Sequence, residues 1–277
     1  MTEKKQELIA DKSSGNTSEE KKTGKNRALS IIAVLFLISF IVFAYLFLKE
    51  SVPYWIGNKA YLDMNKKAVN LKKVEGDSII AIAESYMQTQ VALPTATHIP
   101  GMPEMTPTPI PTLTADQLDL LRIQSLIEVD FDYLQEINPD IVGWIFMENE
   151  KINYPIVQGT DNNYYLVRLP DKTWNRLGSI FMEYENKPDF SDDTTVLFGH
   201  NMLDESMFGS LKYYREQWYY DENPHMYIFA PHATYRLEIF AGYVVKEKDI
   251  GSLHQTFESI EEKRKFVADS ILRSTFE

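Results

Sequence analysis

The chain has 277 residues, 44% of them apolar and 13% aromatic, enough for one sizeable folded domain with appendages. Its net charge of -12 excludes nucleic acid as a natural partner, and its lack of cysteine excludes disulfides, thiolate metal sites and a cysteine nucleophile among these residues. Residues 1–27 hold seven Lys/Arg against five Asp/Glu, whereas the remainder holds 21 against 35, so the acidic excess lies beyond the N-terminal tail.

Residues 1–27 are polar and rich in Ser, Lys and Glu, the composition of a disordered tail. Ala28 to Leu48 then runs 21 residues without a charge, long enough at about 1.5 Å per residue to cross a hydrocarbon core of about 30 Å. Lys21, Lys22, Lys25 and Arg27 precede it. The positive-inside rule therefore puts the N-terminus in the cytoplasm and the rest of the chain outside. A cleaved signal peptide is the competing reading. Against it, the run exceeds the roughly 7–15 apolar residues of such a peptide and no A-x-A site follows. Residues 28–48 are expected to be an uncleaved anchor that inserts in the lipid bilayer of the cell membrane.

Residues 49–93 have mixed helical periodicity and predict a helical stalk. Between 94 and 113 the composition changes: Pro94, Pro100, Pro103, Pro107, Pro109 and Pro111 are interleaved with threonine. Proline at that density forbids a helix and predicts an extended spacer that lifts a domain off the bilayer. The domain is expected over 114–277. Thr114 predicts the cap of a helix with Leu118, Leu121 and Ser125 on one stripe, and Asp130 the cap of a second, with Phe131, Leu134 and Ile137 spaced three apart. Asn138-Pro139 ends it. Short strand patterns follow at Ile141–Phe146, Ile152–Val157, Gly178–Tyr184, Thr194–Phe198, Met226–Phe229 and Tyr235–Val245, and Thr256 predicts the opening of a closing helix. Six strands with few helices predict a mainly β domain, a barrel or a sandwich.

Of the five histidines, His98 lies in the spacer, His225 and His232 flank a strand as loop residues, and His254 precedes the last helix. None has zinc-ligand spacing. Acidic residues from Asp189 to Asp193 lack EF-hand spacing and read as a solvated face. No metal or cofactor is expected. His200 differs because it follows Val196-Leu197-Phe198-Gly199, an apolar strand end followed by a glycine. A strand end on a rigid scaffold suits a proton-transfer group. Local context alone fits a structural histidine as well.

The neighbours of His200 tip that balance. Asn138-Pro139-Asp140-Ile141-Val142-Gly143-Trp144-Ile145, Ile152-Asn153-Tyr154-Pro155-Ile156-Val157-Gln158-Gly159, Asp161-Asn162-Asn163-Tyr164-Tyr165-Leu166, Gly178-Ser179-Ile180-Phe181-Met182-Glu183, Phe198-Gly199-His200-Asn201-Met202 and Met207-Phe208-Gly209-Ser210-Leu211 follow one another across about 75 residues. In that order they resemble the class B sortases, membrane-anchored cysteine transpeptidases, and the likeness extends over roughly 130–277.

The resemblance implies a sortase-like closed β-barrel with peripheral helices. It implies that His200 is the catalytic acid/base and that Asn162, Leu166 and Phe198 line the groove for the sorting-signal peptide. Core packing for Leu166 and Phe198, and a turn-holding role for Asn162, stand as equal alternatives. It also implies a sorting-signal peptide of secreted surface proteins and a peptidoglycan amine as partners. The family's Thr-Leu-x-Thr-Cys strand and a later Arg-bearing strand do not occur in these 277 residues. The expectation is therefore a barrel lacking its last two strands and an enzyme inactive as given. A non-catalytic membrane-tethered binding domain and an unrelated extracellular β-domain are the alternatives.

Overall fold

A computed structural model describes residues 3–72, 113–148, 151–246 and 256–277, with side chains from Leu29 onward. The chain divides into two compact units, Met1–Trp55 and Ile56–Glu277. In the first, α1 (Glu3–Ala68) is helical from Glu3, where a disordered tail is expected. The Glu, Lys, Gln and Leu dense in residues 3–12 are strong helix formers. From Leu29, α1 is long and apolar enough to cross a membrane, with a mean hydropathy of 3.0 in its most apolar window.

The second unit begins with the end of α1, not at residue 114. Tyr61, Met64 and Ala68 are buried, and Met64 and Ala68 join the main apolar core. Next, β1 (Val69–Leu71) pairs antiparallel with β2 (Ile127–Val129), and the Lys72 N–H extends the ladder to the Leu126 carbonyl. The stalk therefore stops at Ala68. The expected spacer, 94–113, lies outside the described residues except for Leu113, but both of its flanks belong to this unit. The covalent path from the apolar run to the folded domain does not pass through the proline-rich stretch. Its sharp change in composition imitates a domain boundary.

The two helices after that stretch start where their caps predict. In α2 (Ala115–Leu126) the Thr114 hydroxyl accepts from the Gln117 N–H and the Gln117 side chain returns the bond, a capping box. In α3 (Phe131–Ile137) Asp130 accepts from the Tyr133 N–H at 2.9 Å. The stripe of α2 differs from expectation: Ile123 is the residue it buries, and Leu118 stays exposed.

The strands that follow are β3 (Ile141–Phe146), β4 (Asn153–Gln158), β5 (Ile180–Met182), β6 (Leu197–Phe198), β7 (His225–Ala230) and β8 (Ala233–Glu238), with α4 (Gln217–Glu222) before β7 and α5 (Ile260–Arg273) after β8. Among the described residues they form one mixed sheet in the order β6-β5-β4-β3-β7-β8, a curled half-barrel with β6 and β8 at its edges, in keeping with a barrel short of its last two strands. Pairs are antiparallel except β4 with β5. A parallel pair needs a crossover. The one from Gly159 to Ser179 contains a 3₁₀ turn, Tyr164–Val167, and carries two of the three candidate groove residues, Asn162 and Leu166, with Phe198 on β6.

β5 and β6 are shorter than their apolar patterns, and β8 stops at Glu238 although alternation continues to Val245. The Ile239 N–H still donates to the Pro224 carbonyl, its opposite in the β7–β8 register, and beyond it the Gly242 carbonyl accepts from the Thr275 N–H instead of from a strand. Side-chain alternation runs on past the last ladder bond. The closing helix is capped by Ser259, whose hydroxyl accepts from the Glu262 N–H, and not by Thr256.

Trp144, Ile141, Val157, Tyr165, Phe181, Phe229 and the α3 residue Leu134 share one core with the end of α1. Burying each such side chain contributes about 1.5–3 kcal/mol. A charged cluster seals α2 against β7 and β8. Asp119 accepts from the Tyr227 hydroxyl at 2.6 Å and Arg236 Nε at 3.0 Å, and Arg122 bridges Asp119 to Glu148. Burial pushes the Asp119 carboxyl up, but its bonds from Tyr227, Arg122 and Arg236 prevail and hold it below the usual range. His225 is not a loop residue. It opens β7, and Arg236 Nη2 donates to its Nε2 at 2.5 Å. Burial, and then the Arg236 charge, push the His225 pKa below its usual 6.5.

The sign follows from linkage. A histidine that binds its proton less readily when folded contributes stability that is complete above pH 6.5 and is lost as pH falls from there toward its folded pKa. Asp119 acts in a separate window, with its contribution lost only below about pH 3.8. Thermal melts of the full chain against pH should therefore lose stability just below pH 6.5. His225→Gln should flatten that step while leaving the loss at lower pH in place, and an unchanged step would contradict the assignment.

Candidate active site

His200 follows directly on the turn that ends β6. A Cβ at Gly199 would strike Ile180 and the Phe208 ring, so only glycine lets the backbone pass. The His200 ring then lies with Nε2 2.6 Å from the Leu166 carbonyl oxygen, which belongs to the 3₁₀ turn of the crossover. A carbonyl only accepts, so Nε2 must carry a proton. In the neutral ring this leaves Nδ1 as the lone-pair nitrogen, and in the cation it leaves the Nδ1 proton as the transferable one.

The same Nε2–Cδ2 edge of the ring lies close to Gly178. That residue has φ of 64°, and a Cβ there would lie 2.5 Å from the Leu166 oxygen and 3.0 Å from His200 Cδ2. Glycine is needed both for the left-handed backbone and for the close approach. The loop after His200 is braced as well. The Phe208 N–H donates to the His200 carbonyl at 3.0 Å, and Asn201 bridges to Met207. Met207 itself has φ of 54°, costly for a side chain with a Cβ, and its N–H donates to the Tyr154 hydroxyl at 3.1 Å. Burial pushes the Tyr154 phenol up, which keeps its oxygen neutral as that acceptor. Glu205, at the loop's far end, accepts from the Tyr213 hydroxyl and from Lys151, and these bonds hold its carboxyl below the usual range.

The other expected site residues are placed differently from one another. Leu166 meets His200 through its carbonyl, while its side chain packs partly buried against the core. Phe198 stacks on Phe181 with centroids 5.1 Å apart, and is likewise half-buried against the core. Asn162 donates through Nδ2 to the Glu183 carboxylate at 2.8 Å and accepts through Oδ1 from the Tyr184 N–H at 3.2 Å. It straps the crossover to the segment after β5. Among the described residues no group of three or more His, Asp or Glu side chains is placed to hold a metal ion.

Sequence reasoning singled out His200 but not Gly178, which borders its ring, nor Tyr154 and Met207, whose bond braces the loop after it. Gly178 carried a usable signal, since a glycine at the mouth of a strand marks a close backbone approach. Tyr154 and Met207 carried none, because their bond joins residues far apart in the chain.

No family model matches the chain. Sortase B of Staphylococcus aureus is 30% identical over 158 residues, covering 57% of this chain and 64% of that protein. Sortase B of Listeria monocytogenes is 40% identical over 110 residues, covering 40% of this chain and 45% of that protein. The chain thus spans between about half and two thirds of the curated relatives it matches. A solved Staphylococcus aureus sortase B-substrate complex superposes with a TM-score of 0.50 at 32% identity, covering 52% of this chain and 67% of that one. Shared sequence and shared half-barrel agree, and over about half its length this chain belongs to the class B sortases.

Proposed function

We propose that these residues supply the histidine half of a class B sortase site, in a cysteine transpeptidase that cleaves a C-terminal sorting signal and joins the surface protein to the cell wall. The observation that carries this reading is the seat of His200: a bond through Nε2 that leaves Nδ1 for proton transfer, at a strand end where Leu166 and Gly178 crowd the Nε2–Cδ2 edge of the ring. Its chemistry is balanced as follows. A thiolate attacks the scissile carbonyl, the C–N bond breaks, and the leaving amine takes the Nδ1 proton as a thioester forms. An incoming wall amine then attacks the thioester, gives a proton back to Nδ1 and displaces the thiolate.

The thiol, and the arginine that would stabilise the oxyanion, must come from residues other than these, which hold no cysteine. The relative solved as a substrate complex supports a peptide as partner. The leucine side chain of Leu166 and the ring of Phe198, both half-buried near the His200 strand end, would form the wall of its groove. Asn162 would set the shape of that groove through its strap to Glu183. The apolar helix from Leu29 would anchor the chain in the cell membrane, with the N-terminus cytoplasmic and Ile56–Glu277 outside. The absence of cysteine favours one second reading, a membrane-tethered binding domain that holds sorting peptides without chemistry.

The two readings separate in one assay. The full chain in detergent is mixed with a peptide bearing a Thr-Leu-x-Thr-Cys strand and an Arg-bearing strand, and cleavage of C-terminal sorting peptides is followed. Restored cleavage that falls by about 10²-fold or more in His200→Ala is expected for a lost general acid/base. Cleavage indifferent to that substitution would sink the assignment, and turnover by the bare chain would overturn the need for an outside thiol. Peptide binding with no cleavage under any complement would favour the binding domain.

The seat of the ring makes a second prediction. Gly178→Ala should cost about 2 kcal/mol or more in thermal melts, because alanine meets both a left-handed backbone and the Leu166 oxygen. A melt equal to that of the parent would mean that Gly178 is not a tight seat.

A further inference from the structure

The face that the end of α1 turns to the sheet reaches the candidate site. Tyr61 is only 4% exposed. Its hydroxyl donates to the Gly178 carbonyl at 2.7 Å and lies 3.4 Å from Ser179 Oγ, although 117 residues separate Tyr61 from Gly178. Its ring meets the Tyr154 ring edge-on, with centroids 5.1 Å apart and planes at 84°. These two contacts fall on the two supports of His200. Gly178 is the residue against which the imidazole rests, and Tyr154 accepts the Met207 N–H that fixes the following loop.

Each support has a reason to need holding. Glycine is the residue whose backbone is least restricted by its own side chain, so the conformation at Gly178 must be imposed from outside. The Gly178 N–H donates to Asn175 and the Ser179 N–H to Tyr165. The Tyr61 hydroxyl adds the bond to the Gly178 carbonyl and so fixes the peptide plane on its other side. Met207 is held with a left-handed φ that its Cβ disfavours, and the Tyr154 bond opposes its relaxation.

We infer that Tyr61 is a positioning residue for His200, so that the end of α1 is a working part of the site as well as the link to the apolar run. This rests on the reading of His200 as the proton-transfer group. The competing role for Tyr61 is ordinary core filling, in which its hydroxyl bonds the nearest carbonyl merely to be satisfied. A phenylalanine would serve that role equally.

Tyr61→Phe in the full chain therefore decides, because it keeps the ring and its edge contact with Tyr154 and removes only the donor. With ring-labelled histidine in detergent micelles, the His200 resonances should shift or broaden while those of His225 and His232 hold. In the peptide-complemented assay kcat should fall on the order of tenfold with KM within about twofold, as displacement of a catalytic group without loss of binding requires. Tyr154→Phe, which removes the acceptor for Met207, should move the His200 resonances by the second route.

His200 resonances unchanged in Tyr61→Phe would overturn the inference. So would a common shift of His200, His225 and His232, the mark of general loosening. Its failure is distinguishable from failure of the functional reading. If His200→Ala spares cleavage while Tyr61→Phe moves the His200 signals, the catalytic reading falls and the positional coupling stands. If His200→Ala abolishes cleavage and Tyr61→Phe moves nothing, the coupling falls and the catalytic reading stands.

Discussion

The bond between His200 Nε2 and the Leu166 carbonyl is the constraint on which the rest of the site depends. It joins the end of β6 to the crossover between β4 and β5, two segments whose backbones are set by different parts of the sheet. It also assigns the chemistry. With Nε2 tied to an acceptor, the proton that can be exchanged sits on Nδ1, and the ring cannot rotate to present the other nitrogen without breaking the bond. A general acid or base acts only if the correct nitrogen points at the reacting atoms, so in the proposed reaction this one contact would do the work of an orienting partner.

Much of the surrounding structure reads as a means of keeping that contact in place. The parallel β4–β5 pairing obliges a long crossover, which brings the Leu166 carbonyl to the sheet's end. Glycine at 178 and 199 gives the backbone and the ring room to approach. Left-handed Met207 and Glu205 force the loop after His200 to fold back, and each is held by a side-chain or backbone bond. Strain of this kind persists only where neighbours over-determine the conformation. The buried core beneath, with Trp144 and Phe181 at its centre, is what makes those neighbours rigid.

What the sequence revealed divides along the range of the interactions. Thr114 and Asp130 were legible as caps because capping is chemistry between residues three apart. β3 was legible because its apolar run lies between Asn138-Pro139-Asp140 and Glu148-Asn149-Glu150, although the run goes one residue past the strand, to buried Met147. β8 was over-extended because alternation reports side-chain environment, whereas a strand also needs a paired backbone, which ends at Glu238. The largest misreading was the domain start. Gly57, Tyr61, Met64 and Ala68 recur at spacings of four, three and four, the signature of a packed helix face, and burial of the last three shows that face in use. From sequence that segment reads as a stalk because the proline-rich stretch that follows looks like a boundary, and because the partners of that face lie far along the chain. His200 was legible through its ordered neighbours, while its supports were not.

Membership in the class B sortases over about half the chain sets the frame for this arrangement, and in the function proposed above these residues, which hold no cysteine, would contribute the proton-handling side and not the nucleophile. The claim at the centre is the protonation pattern of one ring. A long-range ¹⁵N–¹H spectrum of ring-labelled histidine in the full chain, taken in alkaline buffer, reads that pattern directly. The account predicts the His200 proton on Nε2 with a bare Nδ1. A His200 ring protonated at Nδ1, or one exchanging freely between the two tautomers, would contradict it.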